Sequence, residues 1–162
     1  MHVYHLQDTD ITIHRTASIR KLYLELSSEC NFNCAMCFRQ TFESDFGTMS
    51  AATLAQAMAE IETLLELQEV VLGGLGEPFL HPQIAEIIAW LKRRRLTVTI
   101  TTNGALIEPH IETLIQCGVD TLVFSFETGD IGHANEALTL PYYRDAGLRL
   151  RYEFVPEFAP YI

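Results

Sequence analysis

Residues 21–37 read KLYLELSSECNFNCAMC, a strand-like aliphatic stretch followed at once by the cysteines Cys30, Cys34 and Cys37. A 4Fe-4S cluster usually takes four thiolates, and the ferredoxin run supplies three closely spaced cysteines plus a distant fourth. Here the remaining cysteine is Cys117, far along the chain in a different local setting. The spacing therefore predicts a cluster on three thiolates with one iron left open, and open positions are where metal centres do chemistry.

The composition is that of an ordinary globular protein. At 162 residues and 48% hydrophobic, the chain is long enough for one domain with a core and too short to expect two. A net charge of -10 argues against nucleic acid as a partner, because such partners require a basic surface. With no long apolar run and no signal peptide, the expected location is the cytoplasm, where clustered cysteines usually indicate metal binding or catalysis.

Strand-like and helix-like segments alternate along the chain. Stretches rich in β-branched and aliphatic residues predict strands at residues 21–26, 69–72, 97–102 and 121–126. Apolar residues at helical spacing predict helices at residues 50–65, 84–91 and 107–117. This alternation predicts an α/β fold with a parallel sheet of about four to five strands, either doubly wound or curved into a partial (βα) barrel.

Residues with unusual chemistry follow each predicted strand, where function gathers in both of these architectures. After the cysteine run come GGLGEP at 73–78, TNG at 102–104 and SFE at 125–127. Glycines let the backbone approach a ligand closely, and Glu77 offers a carboxylate to an ammonium group. The four strand ends are expected to converge on one site.

In this order, the motifs resemble those of the radical S-adenosylmethionine (radical SAM) enzymes, whose signature is Cys-x3-Cys-x2-Cys and whose cores are partial or complete βα barrels. The resemblance implies that Cys30, Cys34 and Cys37 ligate three irons of a 4Fe-4S cluster, while S-adenosylmethionine chelates the fourth. It further implies that an electron from the reduced cluster cleaves S-adenosylmethionine to methionine and a 5′-deoxyadenosyl radical, which abstracts hydrogen from a substrate.

The same resemblance implies which residues hold the methionine moiety. Gly74, Gly76 and Glu77 correspond to the family's Gly-Gly-Glu element, which binds the amino group. Leu75 interrupts the shortest form of that element. On its own, the glycine run is equally typical of a tight βα turn.

Polar contacts to the ribose and the carboxylate are implied for Thr102, Asn103 and Ser125, while Glu127 takes the place of a frequent aspartate. Taken alone, Asn103 followed by glycine is a common turn dipeptide. These residues are expected to bind the cofactor, and no residue is assigned a catalytic role.

Structural alternatives exist for several of these residues. Three cysteines could bind structural zinc, but zinc requires a fourth ligand, and no histidine lies at the usual short spacing. Cys117 lies beside apolar residues and is expected to be a core thiol. His81 is expected to shape its loop, with a substrate role as the alternative.

Beyond the fourth strand the resemblance fades. Pro141 would interrupt a crossover helix, residues 148–155 predict a fifth strand, and a sixth strand has no room before Ile162. Residues 21–162 are therefore expected to form an incomplete radical SAM core, preceded by an N-terminal extension at residues 1–20 with a hairpin. The chain would be a fragment, or a subunit whose open sheet edge is covered by a partner or a second copy.

The leading hypothesis is a radical SAM enzyme core of the branch that matures cofactors and modifies peptides. Such an enzyme requires a 4Fe-4S cluster, S-adenosylmethionine, an external electron donor and a substrate, here an unidentified small molecule or peptide. A second hypothesis is a non-catalytic protein that binds or assembles iron-sulfur clusters. A third is a truncated, inactive fragment.

Overall fold

A computed structural model describes residues 2–6, 8–13, 18–34, 37–43, 45–125 and 149–153. The predicted site residue Glu127 and the crossover around Pro141 lie outside these ranges. The fold below therefore concerns the hairpin, the first three βα units and two further strands.

The described strands form two sheets. Strands β1 (His2–Leu6) and β2 (Thr9–Ile13) pair as an antiparallel hairpin. The second sheet is parallel, in the order β3-β4-β5-β6-β7, and its strands are β3 (Lys21–Leu24), β4 (Glu69–Leu72), β5 (Thr97–Thr102), β6 (Thr121–Ser125) and β7 (Arg149–Glu153).

The order of the parallel strands distinguishes the two predicted architectures. Each described strand of this sheet lies beside the described strand that precedes it in the chain, so the strand order runs in one direction. A doubly wound sheet instead reverses direction at a switch point. The prediction of a partial (βα) barrel is therefore confirmed, with five parallel strands described.

Three helices follow the first three parallel strands: α1 (Ala51–Thr63), α2 (Ile84–Arg93) and α3 (Ile111–Cys117). Ser50 caps the N-terminus of α1, since its hydroxyl accepts the Thr53 N–H at 3.1 Å. Gly118 ends α3 with a φ of 72°, in the left-handed region that glycine adopts without strain. None of the helices in the described ranges has the length and apolar character that crossing a membrane requires.

The helix predicted at residues 107–117 is in fact divided. Glu108–His110 forms a short 3-10 turn, and α3 begins only after it. Pro109 has no N–H to donate, so it favours the first turn of a helix over its interior. Apolar spacing alone does not reveal this division, because Ile107, Ile111 and Leu114 continue one apolar face across it.

The core lies between the helices and one face of the parallel sheet. Leu24, Leu72, Ile100 and Leu122 stand in register across four neighbouring strands and are all buried. Alternate residues of a strand point to the opposite face. That face carries Tyr23, which is 67% exposed, and the partly buried threonines at positions 99 and 101. The described helices therefore cover one side of the sheet with apolar residues, while its other side is more polar.

Replacing Ile100 by alanine should lower the free energy of unfolding by about 2–5 kcal/mol, because the side chain is fully buried at the centre of the sheet. Urea denaturation followed by circular dichroism measures this change. Leu65→Ala is the control: Leu65 is 94% exposed, so its loss should change stability by about 0.5 kcal/mol or less. Equal effects of the two substitutions would contradict the described core.

Candidate cluster and cofactor site

The cysteine loop, residues 28–37, follows β3 at the carboxyl end of the sheet. Two of its cysteines lie close together, since the Cys37 N–H donates to the Cys34 carbonyl at 3.0 Å. Cys30, Cys34 and Cys37 are each half-buried, and none forms a disulfide. The loop therefore carries three reduced cysteines at the positions predicted for the cluster ligands.

Two N–H groups donate to the sulfur of Cys30. One is the backbone N–H of Phe32, with 3.4 Å between nitrogen and sulfur, and the other is the side-chain amide of Asn103, at 3.5 Å. Hydrogen bonds to sulfur are among the factors that set the properties of iron-sulfur clusters. The predicted site residue Asn103 thus contacts the predicted metal ligand Cys30.

The glycine loop, residues 73–78, packs tightly against the chain that leaves β3. A Cβ at Gly76 would overlap the carbonyl oxygens of Ser27 and Glu29. A Cβ at Gly74 would overlap the side chain of Glu25. Both glycines are therefore needed for contact between the two loops, and their role in holding the amino group of S-adenosylmethionine stays a prediction.

Glu25 is a further residue of the candidate site, and the sequence did not predict it. Its Oε1 accepts the Leu75 N–H at 2.5 Å and the Gly76 N–H at 3.3 Å, so this carboxylate fixes the middle of the glycine loop. The alternation of strand side chains between the two faces of the sheet could have indicated Glu25. Glu25 lies two residues after Tyr23, which places a carboxylate on the polar face of the sheet at a strand end.

Glu77 is 1% exposed and connects the glycine loop to the end of β5. Its Oε1 accepts the Thr102 hydroxyl at 2.7 Å and the Phe79 N–H at 3.2 Å, while Oε2 accepts the Asn103 N–H at 2.9 Å. Burial raises the pKa of Glu77, and these three hydrogen bonds act in the opposite direction. In this structure both carboxylate oxygens bind the protein itself, and the predicted contact to an ammonium group stays a prediction.

Asn103 completes the connection between the loops. Its side-chain amide donates to the Asn31 side chain at 2.8 Å as well as to Cys30, and its backbone N–H is held by Glu77. The structure thus brings together most of the predicted site, across the ends of three neighbouring strands. Ser125 ends β6, the next strand in the sheet, and is half-buried.

The chemistry of the three cysteine thiols distinguishes the predicted 4Fe-4S cluster from structural zinc. Within the described residues, no three histidine, cysteine, aspartate or glutamate side chains converge to hold a single metal ion. Structural zinc needs four ligands around one ion, and the described side chains do not supply them. A 4Fe-4S cluster instead spreads its thiolates over different irons, so three cysteines on one loop fit a cluster without meeting at a point.

Two other residues have structural roles, as predicted. His81 is 2% exposed; the Gln83 N–H donates to its Nδ1, and its Nε2 lies 3.2 Å from the Met49 carbonyl. These bonds join its loop to the segment before α1. Cys117 packs against the apolar core.

Residues 24–145 match the Radical SAM superfamily, which is about three quarters of the chain. The chain belongs to this superfamily. Its members use a 4Fe-4S cluster and S-adenosylmethionine, so the predicted family and the predicted cofactors of that family are confirmed.

Two curated relatives match about two thirds of this chain. The "Tungsten-containing aldehyde ferredoxin oxidoreductase cofactor-modifying protein" of Pyrococcus furiosus is 34% identical over 110 residues, which cover 67% of this chain and 31% of the relative. A "Probable GTP 3',8-cyclase" of Methanothermobacter thermautotrophicus is 32% identical over 111 residues, covering 68% and 36%. The radical SAM chain described here thus spans about a third of the length of these relatives.

Solved structures share the radical SAM fold. The crystal structure of BtrN in complex with AdoMet and 2-DOIA superposes with a TM-score of 0.67 at 19% identity, covering 87% of this chain and 58% of BtrN. Streptococcus suis SuiB bound to precursor peptide SuiA gives a TM-score of 0.66 at 22% identity, covering 83% and 33%. At these identities the likeness shows the fold alone.

Replacing Gly76 by alanine should destabilise the fold by about 1–3 kcal/mol, because the new methyl group has no room beside the backbone of residues 27–29. Gly47→Ala is a matched control, since nothing lies within 4 Å of a Cβ at that position. Urea denaturation of both variants measures the difference. A Gly76→Ala variant as stable as Gly47→Ala would contradict the tight contact between the loops.

The raised pKa of Glu77 should make stability depend on pH. The folded protein keeps this proton to a higher pH than the unfolded chain, so the free energy of unfolding falls as pH rises above about 4. Glu77→Gln removes this contribution. Urea denaturation from about pH 4 to about pH 8 should therefore show the wild type losing stability relative to the variant. Parallel curves for the two proteins would rule out a raised pKa.

Proposed function

We propose that this chain is the core of a radical SAM enzyme, with a 4Fe-4S cluster on Cys30, Cys34 and Cys37. The observation that carries the proposal is the position of Asn103, whose side chain donates to Cys30 while its backbone N–H binds Glu77. One residue thereby connects the cluster ligands to the glycine loop. Membership in the superfamily supports the same assignment.

When bound, the cluster supplies the electron that cleaves S-adenosylmethionine to methionine and a 5′-deoxyadenosyl radical, which takes hydrogen from the substrate. The chain's own residues bind and orient these groups. The glycine loop, at Gly74, Gly76 and Glu77, receives the amino group, and the Glu25 carboxylate beside it favours a cationic ligand through its charge.

The ends of the next strands would complete the S-adenosylmethionine site. Thr102, Asn103 and Ser125 lie at the carboxyl ends of β5 and β6, where they can contact the ribose and the carboxylate. Glu127, which follows β6 in the sequence, is proposed for the same ligand. These assignments rest on the family resemblance and on the placement of the first three residues.

The substrate is proposed to be a small molecule or a peptide, in cofactor maturation or peptide modification. The name of the Pyrococcus furiosus relative, a cofactor-modifying protein, supports the first, and the structure of SuiB with its precursor peptide supports the second. The electron is proposed to come from an external electron donor. Because the chain spans about a third of its relatives, substrate contacts are assigned to no residue here.

The organisation of the protein is also a proposal. Residues 1–20 would be an extension carrying the β1-β2 hairpin, and residues 21–162 the radical SAM core. In the described sheet, β3 and β7 lie at the edges, where a partner subunit or a second copy could pair. A cytoplasmic location would keep the cysteines reduced for cluster binding.

Anaerobic reconstitution of the full chain with iron and sulfide tests the function. With S-adenosylmethionine and a reductant, the wild type should release 5′-deoxyadenosine, measured by chromatography. Alanine at Cys30, Cys34 or Cys37 should reduce this release to the background of the uncatalysed reaction. Cys117→Ala is the matched control and should retain it, because Cys117 packs against the core rather than in the cysteine loop.

The same experiment separates the enzyme from a non-catalytic cluster protein. In an enzyme, adding S-adenosylmethionine should change the electron paramagnetic resonance spectrum of the reduced cluster, because the cofactor binds the open iron. A cluster whose spectrum does not respond, with no 5′-deoxyadenosine, would refute the enzymatic proposal and support cluster binding or assembly. Absence of any cluster would contradict both.

A further inference from the structure

Arg39 is held against the cysteine loop. It lies in the 3-10 turn Phe38–Thr41, two residues after Cys37, and its Nη1 donates to the Phe32 carbonyl within that loop at 3.3 Å. Its guanidinium stacks on the ring of Phe46, 4.4 Å from the centroid. Contacts on two sides therefore fix a positive charge beside the loop that carries the three thiols.

The polar contacts of Arg39 are incomplete. Its Nε is buried and has no hydrogen-bond partner in the described part of the chain. The guanidinium also takes part in none of the ion pairs that the described residues form. Two other half-buried cations, Lys92 and Arg94, each pair with a carboxylate. A positive charge beside the cysteine loop, with no carboxylate partner among the described residues, favours an anionic group bound to that loop.

The proposed cluster is such a group. On three thiolates an oxidised 4Fe-4S cluster is already a net anion, and one-electron reduction adds a further negative charge. The arginine side chain supplies a fixed positive charge. Positive charge and N–H donors near the sulfurs both stabilise the reduced form and raise the reduction potential.

We infer that Arg39 is a positioning residue that raises the reduction potential of the cluster through its fixed charge beside the cysteine loop. The inference rests on the proposed function, because it requires a cluster on the three cysteines. It adds a residue outside the family motifs recognised in the sequence. Arg39 would thereby make the electron transfer from the external donor more favourable.

Potentiometric titration of the reconstituted full chain, followed by electron paramagnetic resonance, tests this inference. Arg39→Met should lower the equilibrium constant for reduction by about tenfold, which is about 59 mV for a one-electron couple. Arg39→Lys keeps the charge and should stay closer to the wild type. A merely structural role would not separate these two variants by their potential.

Arg94→Met is the matched control. Arg94 also stacks on an aromatic ring, with its guanidinium 3.5 Å from the centroid of Trp90, but it precedes β5 at the amino end of the sheet. Removing this charge should leave the potential at the wild-type value. An equal shift in Arg94→Met and Arg39→Met would overturn the inference, because it would reflect the net charge of the protein only.

The remaining outcomes are also decisive. A wild-type potential in Arg39→Met with a loaded cluster would overturn the inference while leaving the proposed function intact. If Arg39→Met fails to take up a cluster, Arg39→Gln and Arg39→Lys form the deciding pair, and equal potentials in these two would overturn it. Absence of a cluster in the wild type would instead refute the proposed function.

Discussion

The buried carboxylate of Glu77 is the interaction on which the candidate site depends. It accepts hydrogen bonds from Thr102 and from the backbone of Asn103, and thereby holds the end of β5 against the glycine loop. The Asn103 side chain can reach Cys30 because its own backbone is fixed in this way. A carboxylate removed from water costs free energy unless its acceptors are satisfied, and here three protein donors satisfy them.

Close packing between the glycine loop and the chain that leaves β3 also stabilises this arrangement. Gly74 and Gly76 allow the glycine loop to lie directly on the chain that leaves β3, and Glu25 binds two of the loop's N–H groups. Two acidic side chains therefore hold one loop, each through backbone N–H groups. The cysteine loop, the glycine loop and the end of β5 form a single hydrogen-bonded unit.

Much of the fold was predictable from the sequence, because local signals define it. The strands at residues 69–72 and 97–102 match their predicted bounds, since short apolar or β-branched runs mark both. The first strand ends two residues early, at Leu24, because the next residues pair instead with the segment before α1, where the Met49 N–H donates to the Leu26 carbonyl. That partner is distant in sequence, so no local pattern indicates it.

The motifs of the site were predictable, but the connections among them were not. Spacing identified the three cysteines and the glycine run, whereas the burial of Glu77 depends on neighbours some 25 residues away. In the sequence, Glu25 is an ordinary polar residue at a strand end, because the glycine loop that it binds is distant in sequence. Arg39 carried no sequence signal, because its significance comes from the partners that it lacks among the described residues.

The strand order has a consequence for how this protein is made. The described parallel strands pair in the order of the sequence, so β4 has both of its neighbours, β3 and β5, before β6 is synthesised. These pairings are not local, because Lys21 lies opposite Glu69 and Glu69 lies opposite Thr97, and parallel sheets assembled from such distant residues fold slowly. The cysteine loop, the glycine loop and Asn103 nevertheless all precede β6 in the sequence, so their strands can meet while β6 and β7 are still being synthesised.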